Sequence, residues 1–275
     1  MTSQQTKAEH LLNMHQKGAT LLLPNAWDAA SARLFEKAGF PAIGTTSAGI
    51  AFVHGARDGE QMSRQDMVNA IARIVASVQV PVTADIEAGY GSTPEEVART
   101  IRAVMAVGAV GVNLEDSTGP FKPLLALQEQ CERIAAACFE ARKAEIALFI
   151  NARIDTYLFQ IGEEAKRLEE TLSRARAYLE AGANGIFVPG VIDLSLIEVL
   201  VREIPGPLNL IVMPGIPSAP DLFQLGVVRL SIGGAAMLAA MGLIWEIAHE
   251  LREQGTYQKL SQHPDGMSQA WSLFA

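Results

Sequence analysis

The chain has 275 residues, a formal net charge of −8, 49% hydrophobic residues and 19% charged ones. This composition excludes a disordered chain, and the acidic balance without any basic cluster excludes a nucleic-acid surface. No apolar run reaches the roughly 18 residues of a membrane span, and no signal-peptide pattern opens the chain. Cys131 and Cys138 lack the spacing of a zinc site or a disulfide framework, so a reduced, cytoplasmic protein is expected.

In chain order, a polar helix is expected over 4–16, with Leu11, Leu12 and Met14 available for packing. A strand–helix rhythm follows: strand 21–23 and a helix to Lys37, then strand 42–46, a long loop through Gly59, and a helix from its cap Ser63 to Ser77. A third strand begins at Pro81. The next helix announces itself with Thr93 as cap, Pro94 in the first turn and Glu96 completing a capping box. Strand 110–114, helix 128–143, strand 146–152, helix 163–180, strand 185–188, helix 193–201, strand 208–213, a helical turn 221–225, strand 227–232 and a closing helix 235–254 complete the series. Gly39, Gly108, Gly182 and Gly226 each fall between a helix and a short apolar strand, where a left-handed residue ends a helix. Eight such units in one domain, residues 1–275, predict an α/β fold of the (β/α)₈ barrel type, and no glycine-rich dinucleotide fingerprint follows the first strand to favour an open sheet.

A barrel carries its chemistry at the C-terminal ends of its strands, and the polar residues collect there. Asn25 and Asp28 follow the first strand; Ser47, Gly49 and Asp58 the second; Asp85 and Glu87 end the third; Asn113 and Glu115 the fourth; Asn151, Arg153 and Asp155 the fifth. The period of two predicts that Asp85 and Glu87 project together, as do Asn113 with Glu115 and Asn151 with Arg153. Any one of these residues reads as an ordinary loop or ion-pair residue, but five consecutive strands ending this way point to a divalent cation at an oxygen-only site. Mg²⁺ or Mn²⁺ suits such donors, and an arginine opposite suits a carboxylate ligand. Ser47-Ala48-Gly49 can turn backbone N–H groups toward an anion. His10, His15, His249 and His263 fall in helices or the tail, and His54 reads as a solvated loop residue. Gly233-Gly234 falls where barrels often hold phosphate, although a tight turn into the last helix is the preferred reading.

The stretches Pro24-Asn25-Ala26-Trp27-Asp28, Thr46-Ser47-Ala48-Gly49, Asp58-Gly59, Asp85-Ile86-Glu87-Ala88-Gly89-Tyr90-Gly91, Asn113-Leu114-Glu115-Asp116 and Asn151-Ala152-Arg153-Ile154-Asp155 resemble the isocitrate lyase/phosphoenolpyruvate mutase superfamily from about residue 20 to 245. The resemblance implies a barrel whose closing helix is exchanged with a neighbouring subunit, in a dimer or a dimer-of-dimers tetramer. It implies Mg²⁺ at Asp85, with Glu87, Glu115 and Asp58 holding metal-bound waters, and substrate at the amides of Ser47, Ala48 and Gly49 beside Asp85 and Arg153. Arg153, Asp58 and Glu115 would then be the catalytic groups, acting on a small 2-oxo or 2-hydroxy acid. Several family signatures are missing. Glu87 stands where Asp is usual, and the segment 115–123 is short and lacks the lyase cysteine, with Lys122 its only basic residue. Thr45 replaces an aromatic of the mutases, Gly190 follows Pro189 where methylisocitrate lyases have Glu, and 213–217 lacks their asparagine. Cleavage of a C–C bond by a lyase or oxo-acid decarboxylase is therefore expected, with phosphonopyruvate mutase or hydrolase chemistry as the alternative. A 2-oxo acid binding protein with vestigial catalysis is the reading from a different class. Independently of the resemblance, the closing helix is apolar nearly all round and calls for cover on several sides, as a homo-oligomer would provide.

Overall fold

A computed structural model describes residues 2–16, 18–119, 122–262 and 266–274. Its strands form one all-parallel sheet in the order β1-β9-β8-β7-β6-β5-β4-β3-β2. β1 (Leu21–Leu23) pairs with β9 (Arg229–Ser231), while β2 (Asn25–Ala26) pairs with β3 (Ile43–Thr45). These two short pieces are the single first strand of the sequence reading, interrupted at Pro24. Proline has no N–H to give to a ladder, but its carbonyl still accepts from the Gly44 amide at 2.8 Å. The first strand thus joins both edges, and the sheet closes as the expected barrel.

Between these ends run β4 (Val82–Asp85), β5 (Gly111–Glu115), β6 (Phe149–Arg153), β7 (Gly185–Phe187) and β8 (Leu208–Ile211). The connecting helices α2 (Ala29–Lys37), α4 (Arg64–Ser77), α5 (Pro94–Ala106), α6 (Leu127–Lys143), α7 (Glu164–Glu180), α8 (Leu194–Glu203) and α9 (Ala219–Leu225) pack their apolar faces on the outer faces of the strands. Local sequence rules set many of their ends. Ser63 caps α4, and Thr93 with Glu96 forms the expected capping box of α5. The four junction glycines take φ values of +92° (Gly39), +95° (Gly108), +110° (Gly182) and +105° (Gly226), the left-handed turn that ends each helix.

The N-terminal helix α1 (Ser3–Asn13) does more than decorate the barrel. Its Ala8 and Leu11 join Leu21, Leu23, Ala42, Val110 and Phe149 in a second buried cluster at the starts of the strands. An added Cβ on Gly111 would lie 2.9 Å from a Leu11 methyl, so only glycine leaves room for the plug there. His15 follows, 3% exposed, stacked on Phe149 with ring centroids 3.7 Å apart.

Two features lie outside the sequence reading. A short helix α3 (Ser47–Val53) occupies part of the loop after β3, and α11 (Gln258–Ser261) and α12 (Gly266–Phe274) follow the closing helix. That closing helix, α10 (Ala235–Glu253), has Glu250 as its single buried residue, while Leu238, Ile244 and Trp245 are 57%, 65% and 68% exposed. Among the described residues, no helix is long and apolar enough to cross a membrane.

Candidate active site

Hydrogen bonds give the strand-end residues distinct tasks. Thr46 caps α3, its hydroxyl accepting from the Gly49 amide at 3.4 Å, so Ser47 becomes the first helical residue and its N–H points out of the helix. The Ser47 amide and hydroxyl both donate to Asp85 Oδ2, at 3.0 and 2.9 Å. The Asp85 amide in turn donates to Thr45 Oγ1 at 2.8 Å. The other carboxylate oxygen, Asp85 Oδ1, is buried without a partner among the described residues. Among the described residues, no hydrogen bond engages the Ala48 amide. A tight contact fixes this corner: a Cβ on Gly49 would meet Thr46 Cγ2 at 2.7 Å and Trp27 Cβ at 2.9 Å.

On the neighbouring strands, register places Asp85 beside Asn113, Asn113 beside Asn151, and Glu115 beside Arg153. The Asn151 amide donates to Asn113 Oδ1 and Asn209 Oδ1, both at 2.9 Å, forming a polar layer inside the barrel. Above it Arg153 Nη1 donates to Glu115 Oε1, and Nε donates to Asp155 Oδ1 at 2.6 Å, while Nη2 has no partner among the described residues. Burial works against the Arg153 charge, but Asp155 and Glu115 outweigh it and hold the guanidinium protonated. Burial pushes the Glu115 carboxyl well up; Arg153 opposes that shift, and Asp155, Asp85 and Glu87 reinforce it.

Glu87 departs from the alternation that was expected of it. The strand ends at Asp85, and Glu87 has φ +51°, so its side chain no longer follows the pleat. Its Oε2 accepts from the amides of Gly59 (2.8 Å) and Glu60 (2.5 Å), and its Oε1 accepts from the Tyr90 hydroxyl. Glu87 therefore ties the β3–α4 loop to the end of β4. Desolvation still pushes its carboxyl up to about 7, against the pull of these donors. Asp58 sits in the loop so held, at the solvent-facing mouth, its carboxyl raised by desolvation and by the charge of Asp85.

Other candidates are structural. Asn25 Oδ1 accepts from the amides of Ile232 (3.0 Å) and Gly233 (2.9 Å), and its Nδ2 donates to Thr45 O at 2.8 Å, so Asn25 ties the first strand to both neighbours and holds the glycine turn into α10. Asp28 caps α2 in a capping box with Ser31. His54 Nδ1 pairs with Ile50 O at 2.9 Å at the end of α3. Pro120 and Phe121 of the shortened loop and the tail residue His263 lie outside the described residues. A surface cleft of about 500 Å³, lined by Gln4, Arg102 and Glu140, lies away from the strand-end carboxylates.

Sequence reasoning passed over the support behind Arg153. Asp155 Oδ2 accepts from Ser117 Oγ at 2.5 Å, and the Asp155 amide donates to Asp116 Oδ1 at 2.9 Å. Asp116 Oδ2 accepts from Tyr178 at 2.9 Å and from Arg174 at 3.3 Å. It also passed over Arg229, fully buried, which donates through Nη2 to Asn113 Oδ1 at 3.2 Å while Nε and Nη1 have no partner among the described residues. An arginine inside the apolar run 227–232 was the available signal.

Among the described residues no three acids, histidines or cysteines converge as a closed ligand cage. The carboxylate oxygen left without a partner among the described residues, Asp85 Oδ1, is the one free to meet a cation.

The sequence profile of the family described as phosphoenolpyruvate phosphomutase matches residues 11–252. An uncharacterized protein of Mycobacterium tuberculosis is 36% identical over 242 residues, 87% of this chain and 86% of its own length. An oxaloacetate decarboxylase of Pseudomonas entomophila is 30% identical, with 79% of this chain and 75% of its own covered. A solved structure from Burkholderia cenocepacia, provisionally named a lyase/mutase, superposes with a TM-score of 0.93 at 37% identity, covering 100% of this chain and 98% of its own. Other relatives carry the names 2-methylisocitrate lyase and phosphonopyruvate hydrolase, so the family comprises lyases, mutases and hydrolases of small acids. The parallel barrel, the strand-end carboxylates and a profile match spanning most of the chain agree: the protein belongs to the phosphoenolpyruvate phosphomutase family.

Proposed function

We propose that the protein is a Mg²⁺- or Mn²⁺-dependent lyase that makes or breaks a C–C bond next to the oxo group of a small 2-oxo or 2-hydroxy acid. The observation that carries this reading is Asp85. One of its oxygens is fixed by two donors of Ser47, while the other is buried with no partner among the described residues. A buried carboxylate oxygen left bare is costly unless a cation meets it, and an all-oxygen environment selects a hard divalent ion. In this reading Glu115 and Asp58 would hold water around that ion. Glu87 contributes through the loop it ties down. The ion would supply Lewis-acid polarisation of the oxo oxygen.

The chain's own groups do the rest. Arg153 arrives with two nitrogens held by Glu115 and Asp155, so its plane is set before a ligand comes, and Nη2 is left for a carboxylate. The Ala48 amide offers a neutral donor beside Asp85. P–C chemistry is the less supported reading, because a phosphonate dianion would gain from more than one cationic side chain at the mouth, where Arg153 is the buried one. Turnover of a panel of 2-oxo and 2-hydroxy acids, with and without Mg²⁺, tests the proposal. Release of phosphate from phosphonopyruvate, in place of any C–C cleavage, would overturn it.

We also propose that the protein works as a homo-oligomer in which a second subunit covers the exposed apolar face of α10, as helix exchange would. Sedimentation at micromolar concentration should show a dimer or larger species; a stable monomer would refute this.

A further inference from the structure

The polar layer inside the barrel has a direction, and it leaves one donor over. At one end Asn209 Nδ2 donates to the backbone oxygen of Arg229 at 3.2 Å, so Asn209 Oδ1 is turned to Asn151 and accepts from its Nδ2 at 2.9 Å. Asn151 Nδ2 gives its other hydrogen to Asn113 Oδ1, also at 2.9 Å. At the far end Arg229 Nη2 donates to the same Asn113 Oδ1 at 3.2 Å. A backbone carbonyl only accepts and a guanidinium only donates, so neither end of the chain of amides can be turned over. Two donors meet Asn113 Oδ1, and Asn113 Nδ2 must therefore face away from Arg229 and Asn151.

Register and the closed floor say where that donor lies. Asn113 stands beside Asp85, and neighbours in register on parallel strands face the same way. Two residues back on β5, the interior is shut by α1, since a Cβ on Gly111 would lie 2.9 Å from a Leu11 methyl. Asn113 Nδ2 has no partner among the described residues, yet it is not enclosed as Arg229 Nε and Nη1 are, and Asn113 keeps 5% exposure. With the floor shut, solvent reaches Nδ2 from the mouth, on the side of Asp85. Arg229 is itself 1% exposed, so what it gives the site passes through Asn113. Burial lowers its pKa to about 9, with Asp85 opposing the fall, which leaves a charged donor at neutral pH.

We infer that Asn113 Nδ2 is a ligand-binding donor for the oxygen on C2 of the 2-oxo or 2-hydroxy acid, and that Arg229 is the positioning residue that keeps it turned to the mouth. This rests on the 2-oxo acid reading above and adds to it the chain's own contact with that oxygen. When a C–C bond at C3 of a 2-oxo acid breaks, its electron pair spreads onto the C2 oxygen, and a donor fixed beforehand stabilises the growing charge. An uncharged amide can do this beside a divalent cation, where a second positive side chain would be repelled.

The test is calorimetry on the full-length protein with oxalate, a planar dianion that mimics such an enolate, with and without Mg²⁺. Asn113→Ala should weaken Mg²⁺-dependent oxalate binding at least tenfold while Mg²⁺ alone binds within twofold of the wild type. Unchanged oxalate affinity, or an equal loss of Mg²⁺ affinity, would overturn the inference and leave the 2-oxo acid site standing. Absence of Mg²⁺-dependent oxalate binding in the wild type would overturn both. Arg229→Met should weaken oxalate binding at least threefold in the wild-type background and add nothing to Asn113→Ala. Additive losses would show that Arg229 acts by its charge and would overturn its positioning role. Should Asn113→Ala fail to fold, the wild type labelled with ¹⁵N in its asparagine side chains decides. The Asn113 amide pair, identified by its loss in Asn113→Asp, should shift when oxalate and Mg²⁺ are added together, and a pair that stays in place would overturn the inference.

Discussion

The two ends of this barrel are built on opposite principles. At the C-terminal rim, charged side chains are buried beside one another and paired: Arg153 with Glu115 and Asp155, and Asp85 with Ser47. At the N-terminal floor, α1 lays Ala8 and Leu11 over Leu21, Leu23 and Phe149, and the buried His15 that follows it is stacked on an aromatic ring. The rim gives up stability to hold polar groups out of water, and the floor supplies packing without evident chemistry. Changes at the rim should therefore remove binding and leave the fold, and changes at the floor should do the reverse.

The sharpest form of that contrast is Asp85→Ala. It deletes the buried oxygen that lacks a partner, so Mg²⁺ binding should be abolished, while the thermal unfolding midpoint without metal stays level or rises as a buried charge disappears. Titration calorimetry and a melting curve measure the two effects separately. Retained Mg²⁺ affinity in this variant would remove Asp85 from the site.

The floor should respond to acid. Burial, and secondarily the charge of Arg229, push the His15 pKa down from 6.5 to about 3. The folded state thus binds fewer protons than the unfolded state between those values. Its contribution to stability is complete above pH 6.5 and is lost as pH falls toward 3. A shift of this size corresponds to up to about 5 kcal/mol over the full range. Carboxyls raised by burial at the rim, such as Asp116 at about 6, slope the other way, so the informative quantity is a difference. Urea unfolding at pH 7.5 and 4.5 should show a smaller acid loss for His15→Gln than for the wild type, with Mg²⁺ affinity at pH 7.5 unchanged. Equal losses would mean that His15 is not held neutral.

Returning to the rim, Arg153→Ala should weaken Mg²⁺-dependent binding of a 2-oxo acid by about 2–5 kcal/mol, the range for truncating one partner of a buried charge pair. The same substitution leaves Glu115 and Asp155 without their cation, so some destabilisation is expected at neutral pH, easing as the pH is lowered and the Glu115 carboxyl, already pushed up by burial, protonates. Glutarate and 2-oxoglutarate binding with equal affinity would show that the oxo oxygen plays no part.

The fold was legible because its signals are local and repeated. The glycine turns at Gly39, Gly108, Gly182 and Gly226 and the capping box at Thr93 depend on neighbouring residues alone, and each formed as read. The strand-end polar residues were legible too, because the period of two and the barrel rule place Asn113, Glu115, Asn151 and Arg153 without tertiary detail. What escaped depends on partners distant in the chain. That Asn25 holds the turn at Gly233, 208 residues away, or that Ser117 braces Asp155, 38 residues on, leaves no periodic trace. α3 escaped because seven residues with small and apolar side chains carry little helical period, and its cap, Thr46, looked like the end of a strand.

Glu87 offers the finest test, because it lies at the rim yet behaves like a structural group. The sequence resemblance implies Asp at this position, and a direct role at the metal would make Glu87→Asp neutral or beneficial for Mg²⁺. In this chain both oxygens are committed to the amides of Gly59 and Glu60 and to the Tyr90 hydroxyl. Shortening the side chain by one methylene withdraws the carboxylate from that loop. The left-handed backbone at φ +51° accepts Asp more readily than Glu, which offsets part of the loss. The net stability change should therefore be small, within about 1 kcal/mol, the net worth of a typical hydrogen bond. Mg²⁺ affinity should change by less than threefold, while the Gly59 and Glu60 amides should exchange with solvent markedly faster in Glu87→Asp than in the wild type. A large change in Mg²⁺ affinity with unaltered amide protection would place Glu87 among the groups that hold the metal's water and not among those that hold the loop.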